Sequence, residues 1–424
     1  MRHVTVARQT LAMALLAACL AAPAAAQPAS DEVARLLREP AVAAAVASAA
    51  RLDPRVLDEQ VAICQVPAPP FKEQARGQRY RASFEQLGLQ RVRVDAVGNV
   101  IGERPGQSGG PHVVISAHLD TVFPEGTDVT VRRQGSRLAG PGIVDDCRGL
   151  AVLLGVVRAL EAGKVTTPGR ITFVGTVGEE GLGDLRGVKH LFGPDGLGRI
   201  DRFVSIDGGG LGITNGGVGS KRYRVTFKGP GGHSYGAFGM PNPAHALGRA
   251  MAAIGDLEVP RSPKTTFNVG RVGGGTSVNS IPFEAWMELD LRSEDAATLA
   301  DLDRRARRAI DAAAAGENAR WRDSTARVSV EVEMVGDRPA GRTADTSGIV
   351  QTAVSVLRAL DLPVSLGASS TDANVPMARG VPAITIGGGG IGRAAHSLDE
   401  SFDATGGVDG LRHAILLTIA LARP

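Results

Sequence analysis

Acidic residues and histidines follow short apolar runs or tight turns at several points along this sequence of 424 residues. Five of them could bind a cation through an oxygen or an imidazole nitrogen: His118, Asp145, Glu180, Asp207 and His396. Buried charges are tolerated when they are paired or coordinate a metal, and histidines with carboxylates and no thiolate suit catalytic zinc. Three carboxylates, two neutral histidines and one bridging hydroxide would balance two Zn²⁺ ions. The pattern therefore predicts a hydrolytic centre with two metals, for which Co²⁺ and Mn²⁺ are alternatives to zinc.

Two pairs of residues that are close in sequence are predicted to have different roles at this centre. Asp120 lies two residues after His118, so on an extended strand end both side chains point to the same side and Asp120 could orient the imidazole. Glu179 and Glu180 are adjacent and point in different directions; we assign Glu180 to the metal and Glu179 to acid/base work on the attacking water. Each motif alone has an ordinary alternative, namely a satisfied polar pair or a solvated acidic turn.

The turn over residues 140–146 delivers two carboxylates to the start of a helix. Asp145 could bridge two cations, because a carboxylate has two oxygens and about four lone-pair sites. Asp146 fits the N-cap of the following helix, and the two roles are compatible.

These side chains need a scaffold that brings strand ends together. From about residue 53 to 215 the sequence alternates helix and strand, and apolar runs over 112–116, 171–177 and 203–206 indicate strands buried on both faces. The helix 148–162 carries leucines and valines at the i, i+3, i+4, i+7 spacing of a buried stripe. Open α/β sheets place ligand sites at the carboxyl ends of their strands, so the predicted class is α/β with a mixed sheet.

From about residue 220 to 335 the pattern changes to alternating strands around two Ala-rich helices. The order β-α-β-β-α-β suggests a small ferredoxin-like α+β domain inserted into the first domain. A helix over 347–360 and a strand over 381–386 then resume the earlier pattern. The predicted boundaries are an export signal over 1–26, a catalytic domain in two parts over 27–215 and 336–424, and the inserted domain over 216–335.

The first 26 residues resemble a bacterial export signal, with two arginines, an apolar run over 11–20 and a small-residue stretch ending at Ala26. The apolar run is too short for a membrane span, which needs about 20 residues. Cleavage after Ala26 would leave Gln27 as the first residue. Alternatively, the four residues ending at Cys19 resemble a lipoprotein processing box, and Cys19 would then carry a lipid anchor. Either route predicts a periplasmic or extracellular protein.

The net charge argues against a nucleic-acid-binding protein, and the cysteine content leaves a disulfide undecided. The formal net charge of +3 falls to +1 when Arg2 and Arg8 leave with the signal, and the remaining arginines are scattered, so nucleic acid is not an expected partner. Cys64 and Cys147 would remain after export, and their spacing does not decide whether they form a disulfide.

Taken in order, the His-x-Asp pair, the Asp-Asp turn, the Glu-Glu turn, the later Asp and the late His resemble one family of two-zinc metallopeptidases. It contains peptidase T, bacterial glutamate carboxypeptidase, aminoacylase and carnosinase, and the similarity spans about residues 53–422. The resemblance implies that the inserted domain is a lid that also forms a homodimer. It further implies a ligand arrangement in which one zinc takes His118 and Asp207, the other Glu180 and His396, and Asp145 bridges them, with Asp120 orienting His118 and Glu179 as the base.

The resemblance also implies substrate-binding residues. His233 matches a lid histidine that reaches the scissile carbonyl oxygen, often across the dimer, where it would stabilise the developing oxyanion. Asn279 matches an amide donor, and Arg292 a guanidinium that could bind a peptide carboxylate bidentately. Asp372 and Asn374 lie in a segment that resembles the substrate-side loop of the family.

Family members with Asp at the position of Asp207 tend to be aminopeptidases and dipeptidases, so the resemblance implies a di- or tripeptidase acting on short peptides. The alternatives are a carboxypeptidase or an N-acyl amino acid amidohydrolase on the same site and, in another class, a non-catalytic peptide-binding module. The sequence departs from the family at Cys147, where many relatives have Lys. A thiolate near a metal and a small buried cysteine are the two interpretations.

Overall fold

The computed structural model describes residues 29–424, so the predicted signal over 1–26, with Cys19, lies outside the described residues. The first part of the chain contains these elements: α1 (Ala29–Leu36), α2 (Pro40–Cys64), α3 (Gln74–Gln86), β1 (Gln90–Val94), β2 (Val100–Arg104), β3 (Val113–His118), β4 (Arg132–Gln134), β5 (Arg137–Ala139), α4 (Cys147–Ala162), β6 (Ile171–Thr176), a 3₁₀ turn (Gly181–Gly183), α5 (Arg186–Leu191), β7 (Arg202–Ile206) and β8 (Ile213–Gly217).

The middle of the chain forms the inserted unit, which we call the lid. Its elements are β9 (Gly219–Lys228), β10 (Gly232–His233), α6 (Pro243–Gly255), β11 (Thr265–Gly274), β12 (Ser280–Ile281), β13 (Glu284–Ser293), α7 (Ala296–Arg320) and β14 (Ser329–Arg338). The chain then returns to the first unit with β15 (Gly341–Arg342), α8 (Gly348–Ala359), β16 (Leu366–Ser369), α9 (Asn374–Ala378), β17 (Ala383–Ile386), β18 (Ile391–Arg393), β19 (Ser401–Asp403) and α10 (Gly407–Leu421).

The central sheet is mixed and has nine strands, in the order β1-β2-β6-β3-β7-β17-β8-β15, with β16 paired to β8. Its core strands β6, β3, β7 and β17 are parallel, whereas β1 and β2 are antiparallel to their neighbours. The sheet confirms the predicted α/β class with a mixed sheet.

Alternate residues of the core strands face two separate cores. Val113 and Ile115 of β3 pack with residues of α2, α4, α8 and α10. Val114, between them, packs with residues of α5 and α9 on the other face. Because helices cover both faces, every residue of β3 is buried and the strand reads as a continuous apolar run.

The lid has its own sheet and core. Its four antiparallel strands lie in the order β11-β13-β9-β14, which with α6 and α7 gives the β-α-β-β-α-β succession expected of a ferredoxin-like unit. Residues of β13 alternate between buried and half-buried, because one face packs against the two helices. A further small sheet, in the order β18-β19-β5-β4, lies in the first unit. Within residues 29–424 the structure contains no helix with the length and apolar character of a membrane span.

His413 on α10 is fully buried, and neither ring nitrogen has a hydrogen-bond partner within the described part of the chain. Burial lowers the pKa of His413 to about 4. The folded state therefore keeps the ring neutral while the unfolded chain takes up a proton below its ordinary pKa of about 6.5. His413 therefore does not reduce the free energy of unfolding above about pH 6.5. As the pH falls from 6.5 towards 4, the free energy of unfolding decreases by up to about 3 kcal/mol.

We therefore expect His413→Leu to flatten the dependence of the free energy of unfolding on pH between about 6.5 and 4. Urea denaturation of the wild type and the variant across that range measures the difference. Val364→Ala, at an exposed residue that does not titrate, is the control and should keep the wild-type slope. An unchanged slope in His413→Leu would contradict the assignment.

Candidate active site

The five predicted ligands converge at one edge of the central sheet. His118 is the last residue of β3, Glu180 follows β6 and Asp207 follows β7 directly. Because these strands are parallel, their carboxyl ends meet at the same edge. Asp145 reaches this edge from the turn before α4, and His396 from the loop between β18 and β19.

The carboxylate of Asp145 lies between the two histidines. Its Oδ1 is 2.8 Å from Nε2 of His118, and its Oδ2 is 3.0 Å from Nε2 of His396. Nε2 of His118 is also 3.9 Å from Oδ1 of Asp207, and Nε2 of His396 is 2.8 Å from Oε1 of Glu180. Each oxygen of Asp145 thus contacts a different histidine, and each histidine lies within 4 Å of a further carboxylate, the arrangement that a carboxylate shared by two cations would have.

The charges and donor atoms of this cluster fit two cations. In the described part of the chain, three groups have ligand atoms within 4.8 Å of one another: His118, Asp145 and Asp207; Asp145, Glu180 and His396; and His118, Glu179 and Glu180. Burial, followed by the negative charge of Asp145, raises the pKa of Asp207 to about 7. Hydrogen bonds to Asp145 and Glu180 raise the pKa of His396 to about 10. Divalent cations at these positions would neutralise the crowded carboxylates, and the oxygen and imidazole donors suit zinc.

Asp120 has a second role that the sequence did not reveal. The Nδ1 atom of His118 is 3.1 Å from the backbone oxygen of Asp120 and 3.7 Å from its Oδ1, which is consistent with orienting the ring. The same carboxylate accepts hydrogen bonds from the backbone N–H of Glu179, at 3.0 Å, and of Glu180, at 2.8 Å. One buried Asp therefore fixes the positions of a metal ligand and of the Glu-Glu turn.

Asp146 caps α4, as predicted, and also joins three elements. Its Oδ1 accepts from the N–H of Gly149 and Gly208, and its Oδ2 from the N–H of His118. A Cβ at Gly149 would lie 2.3 Å from Oδ1 of Asp146 and from the backbone oxygen of Ile206, so only glycine permits this approach. Burial raises the pKa of Asp146 well above its ordinary value.

Glu400 supports the turn that carries Asp145, and sequence analysis missed it. Its carboxylate is fully buried and accepts hydrogen bonds from the N–H groups of Gly142, Val144 and Asp145 at 2.8 to 3.1 Å. In the sequence Glu400 follows the equally acidic Asp399, which is exposed, and no local pattern distinguishes the two. The distinction depends on the approach of β19 to β5, which is a long-range contact.

We expect Glu400→Gln to weaken metal binding by about 10 to 100-fold, the usual cost of losing an outer-sphere support. The reason is that Gln has one acceptor oxygen where three backbone donors require two. Metal titration against a competing chelator measures the affinity, and Asp399→Asn is the matched control one residue away. Equal affinity in the two variants would show that the turn holds its shape without the Glu400 carboxylate.

A cavity of about 400 Å³ opens beside the cluster. Its walls include the predicted ligands Asp145, Glu180, Asp207 and His396, the predicted base Glu179, and three arginines, Arg222, Arg292 and Arg338. Glu179 is 5% exposed, and burial raises its pKa well above the ordinary value while the charge of Arg338 opposes that rise. Of the predicted substrate-binding residues, Arg292 lines this cavity. Arg222 and Arg338 were not predicted.

The other predicted substrate-binding residues lie elsewhere. His233 and Asn279 are exposed on the lid, where β10 pairs with β12 and the N–H of Ser234 donates to the backbone oxygen of Asn279. Asp372 is buried behind the metal cluster, where it accepts from the hydroxyl of Thr176, and burial raises its pKa to about 6.

Asn374 is also buried, away from the cavity. Its side-chain N–H groups donate to the backbone oxygens of Val218 and Pro339, at the two crossings between the central sheet and the lid. The structure therefore gives Asn374 a place at the domain junction. Its predicted contact with substrate, like that of Asp372, stays a prediction.

Cys64 and Cys147, the cysteines within residues 29–424, are free and buried. The thiol of Cys64 lies 3.4 Å from the backbone oxygen of Pro141, next to the Asp145 turn. Among residues 29–424, none of the three clusters that could hold a metal includes a cysteine. This favours the interpretation of Cys147 as a small buried residue at a helix start.

Comparisons with known proteins identify the family of the chain. Residues 114–422 match the family model described as peptidase family M20/M25/M40. The chain is 32% identical over 113 residues to carboxypeptidase G2 of Pseudomonas sp. (strain RS-16), a match that spans 25% of this chain and 27% of that relative.

Two solved structures illustrate the similarity of fold. Aminopeptidase PepT from Bacillus cereus ATCC 10987 is 21% identical, with a TM-score of 0.70 over 88% of this chain and 99% of that one. The YXEP protein of Bacillus subtilis, described as a dinuclear metal-binding peptidase from the M20 family, is 18% identical, with a TM-score of 0.63 over 88% and 98% of the two chains.

Proposed function

Since the chain belongs to peptidase family M20/M25/M40, which confirms the predicted resemblance, we propose that it is an exported two-metal peptidase of the dipeptidase, tripeptidase or aminopeptidase type. It is a metallopeptidase by family. The identity of the metal as zinc, the count of two per chain, the substrate and the export are the proposed parts.

The position of Asp145 carries the proposal. Its two oxygens each contact a different histidine, and each histidine lies within 4 Å of a second carboxylate. His118 and Asp207 would hold one metal, Glu180 and His396 the other, and Asp145 both. Two-metal hydrolytic sites hold their cations about 3.5 to 4 Å apart, a spacing that one bridging carboxylate can serve.

In the proposed mechanism Glu179 carries the proton. Two bound zinc ions would supply Lewis-acid polarisation of the scissile carbonyl and make water more acidic. Glu179 lines the cavity next to Glu180 and would accept a proton from the attacking water and then donate it to the leaving amine. Its low exposure keeps bulk water from competing for that proton.

The cavity supports a small, charged substrate. Its volume of about 400 Å³ is in the range of small-molecule sites, and Arg292 on its wall could bind a peptide carboxylate through its guanidinium fork. The Asp at position 207 supports the aminopeptidase or dipeptidase type by the family tendency. Hydrolysis of N-acyl amino acids or carboxypeptidase activity remain the alternatives on the same site.

We also propose that the protein is a homodimer through the lid. The exposed His233 and Asn279 are accompanied by Tyr235, which is 90% exposed, and by the fully exposed Val278, a surface that a second copy could cover. In such a dimer His233 would reach the cavity of the partner. Sedimentation analysis measures the assembly state, and a fully active monomer would contradict the proposal.

Export is proposed from the first 26 residues. The mass of the N-terminal peptide of the protein purified from its native compartment distinguishes cleavage before Gln27 from lipidation at Cys19. An uncleaved N-terminus in the cytoplasm would contradict both.

One experiment tests the enzyme and its substrate class together. The zinc-loaded protein is assayed against dipeptides, tripeptides and N-acylated amino acids, with metal content measured on the same sample. We expect hydrolysis of short peptides with a free amino terminus, and its loss on treatment with a chelator. A sample that holds its metals and hydrolyses none of these amides would favour the peptide-binding module instead.

A further inference from the structure

Arg338, the last residue of the lid strand β14, lies deep in the active site. Its side chain is only 4% exposed, and its Nη1 is 3.3 Å from Oε1 of Glu179, which is equally buried. Within the described residues this is the one carboxylate with which Arg338 forms an ion pair. A guanidinium buried to this extent needs hydrogen-bond acceptors for its five N–H donors.

The donors of Arg338 are directed at the loop that carries Glu179. Nη2 donates to the backbone oxygen of Glu179 and, at 3.3 Å, to that of Gly181. Nη1 donates to the side chain of Glu179 and, at 3.0 Å, to the hydroxyl of Ser370. Nε is buried and has no partner in the described part of the chain. Arg338 thus contacts the side chain and the backbone of the same glutamate.

Asp120 holds the same loop from the opposite side. It accepts from the N–H groups of Glu179 and Glu180, whereas Arg338 donates to the C=O groups of Glu179 and Gly181. Both charged side chains are almost completely buried. The peptide unit between Glu179 and Glu180 is therefore fixed through both its C=O and its N–H, and the N–H of Glu179 itself is held by Asp120. Glu179 cannot rotate without breaking charge-assisted hydrogen bonds.

We propose that Arg338 is a positioning residue for Glu179, which it holds at the orientation needed for proton transfer. This inference rests on the proposed function, because it takes Glu179 as the base. The role requires the planar fork of arginine, since one guanidinium serves the Glu179 carboxylate and two backbone oxygens at once. A lysine at this position would keep the charge and lose the fork.

Arg338 also lines the cavity, so binding of a substrate carboxylate is the competing role. Both terminal nitrogens of Arg338 are already occupied by protein acceptors. The side chain of Arg292, by contrast, is 40% exposed and has only Asp290 as an ion-pair partner in the described structure. The structure thus favours Arg292 for the substrate and Arg338 for the base. The two roles predict opposite changes in kcat and KM.

The test compares Arg338→Lys and Arg338→Ala with the wild type on one peptide substrate and on its C-terminal amide. We expect kcat to fall about 10 to 100-fold in both variants, as for the loss of an outer-sphere support, with KM within about twofold and both metals retained. The loss should be the same for the amide. Added guanidinium ion should restore part of the kcat of Arg338→Ala and leave Arg338→Lys unchanged.

Lys189→Met is the matched control. Lys189 donates to the backbone oxygen of Asp337, next to Arg338, and pairs with Asp184. The substitution therefore removes a neighbouring contact between the lid and the first unit without affecting a contact of Glu179. Its kcat should stay near that of the wild type. An equal loss in Lys189→Met would show that docking of the lid, rather than Arg338, sets the rate.

Besides an equal loss in Lys189→Met, three further results overturn the proposal. A raised KM with unchanged kcat, seen for the peptide and absent for its amide, would make Arg338 a substrate-binding residue. Unchanged kcat in both variants would remove any role at the base. Both of these results require an active wild type for comparison. A wild type that holds two metals and hydrolyses no peptide overturns the proposed function itself, and this inference with it.

Discussion

Glu179→Ala should retain both metals and lose roughly 10² to 10⁴ of its turnover, the contribution of a general acid/base. Glu179 is absent from the two clusters that share Asp145, and it lines the cavity with its carboxylate paired to Arg338. Its removal should therefore leave the ligands in place and take away the proton acceptor. Metal content and kcat, measured on the same preparation, check the prediction.

The third cluster gives this experiment its alternative outcome. His118, Glu179 and Glu180 also have ligand atoms within 4.8 Å of one another, so a metal held there would use Glu179 as a ligand. Loss of a metal from Glu179→Ala would exchange the roles of Glu179 and Glu180. Glu161→Ala, at a carboxylate that is 62% exposed on α4, is the control for the loss of a glutamate far from the cavity.

The convergence of three of the five predicted ligands follows from their positions at strand ends. His118, Glu180 and Asp207 each come directly after, or within a few residues of, an apolar run. Parallel strands carry such residues to one edge of the sheet, whatever the length of the connections between them. The order of motifs along the chain was therefore sufficient to predict that these side chains would meet.

Arg338 and Glu400 were not predictable in this way. Each is a single charged residue whose partners lie far away in sequence: Arg338 comes 159 positions after Glu179, and Glu400 comes 255 positions after Asp145. An isolated charge reads as a solvated surface residue unless its burial is known. Only the packing of β14 and β19 against the Glu-Glu loop and the Asp145 turn reveals their contacts.

Some elements of the fold also gave weak signals. The strand β11 contains several glycines and only one fully buried residue, so it shows little of the alternation that predicts a strand. The helix α2 has Pro54 in its interior and a largely Ala-rich sequence, which blurs its apolar stripe. Tertiary contacts stabilise both elements: β11 pairs with β13, and α2 packs against α4 and α10.

The segment around Asp372 and Asn374 shows that a local sequence motif does not determine the direction of its side chains. The resemblance to a substrate-side loop concerned the order of residues, whereas side-chain direction depends on the turn into α9. In the structure Asn374 points to Val218 and Pro339, and Thr371 N–H donates to its Oδ1. The amide thereby ties the two lid crossings to the central sheet, which gives it a structural reason to be there.

Asp145→Asn should cost more than the loss of any other single ligand. An amide offers one neutral oxygen to a cation, and its NH₂ group cannot bind the other. One metal therefore loses its shared ligand and the second exchanges a carboxylate for a neutral oxygen, so both positions are weakened. We expect less than two metals per chain and a loss of activity above about 100-fold, beyond the cost of losing an outer-sphere support. Elemental analysis after dialysis, with kcat, measures both effects.

Comparison with Asp207→Asn distinguishes a carboxylate that binds both metals from one that binds a single metal. Asp207 contacts the His118 side of the cluster and takes no part in the group with Glu180 and His396. Its variant should therefore lower metal content at one position and leave the second metal bound, whereas Asp145→Asn should weaken both positions, because each oxygen of Asp145 faces a different histidine. Full occupancy and near-normal turnover in Asp145→Asn would show that the two cation positions are independent, and a bridging carboxylate would then have no part in the reaction.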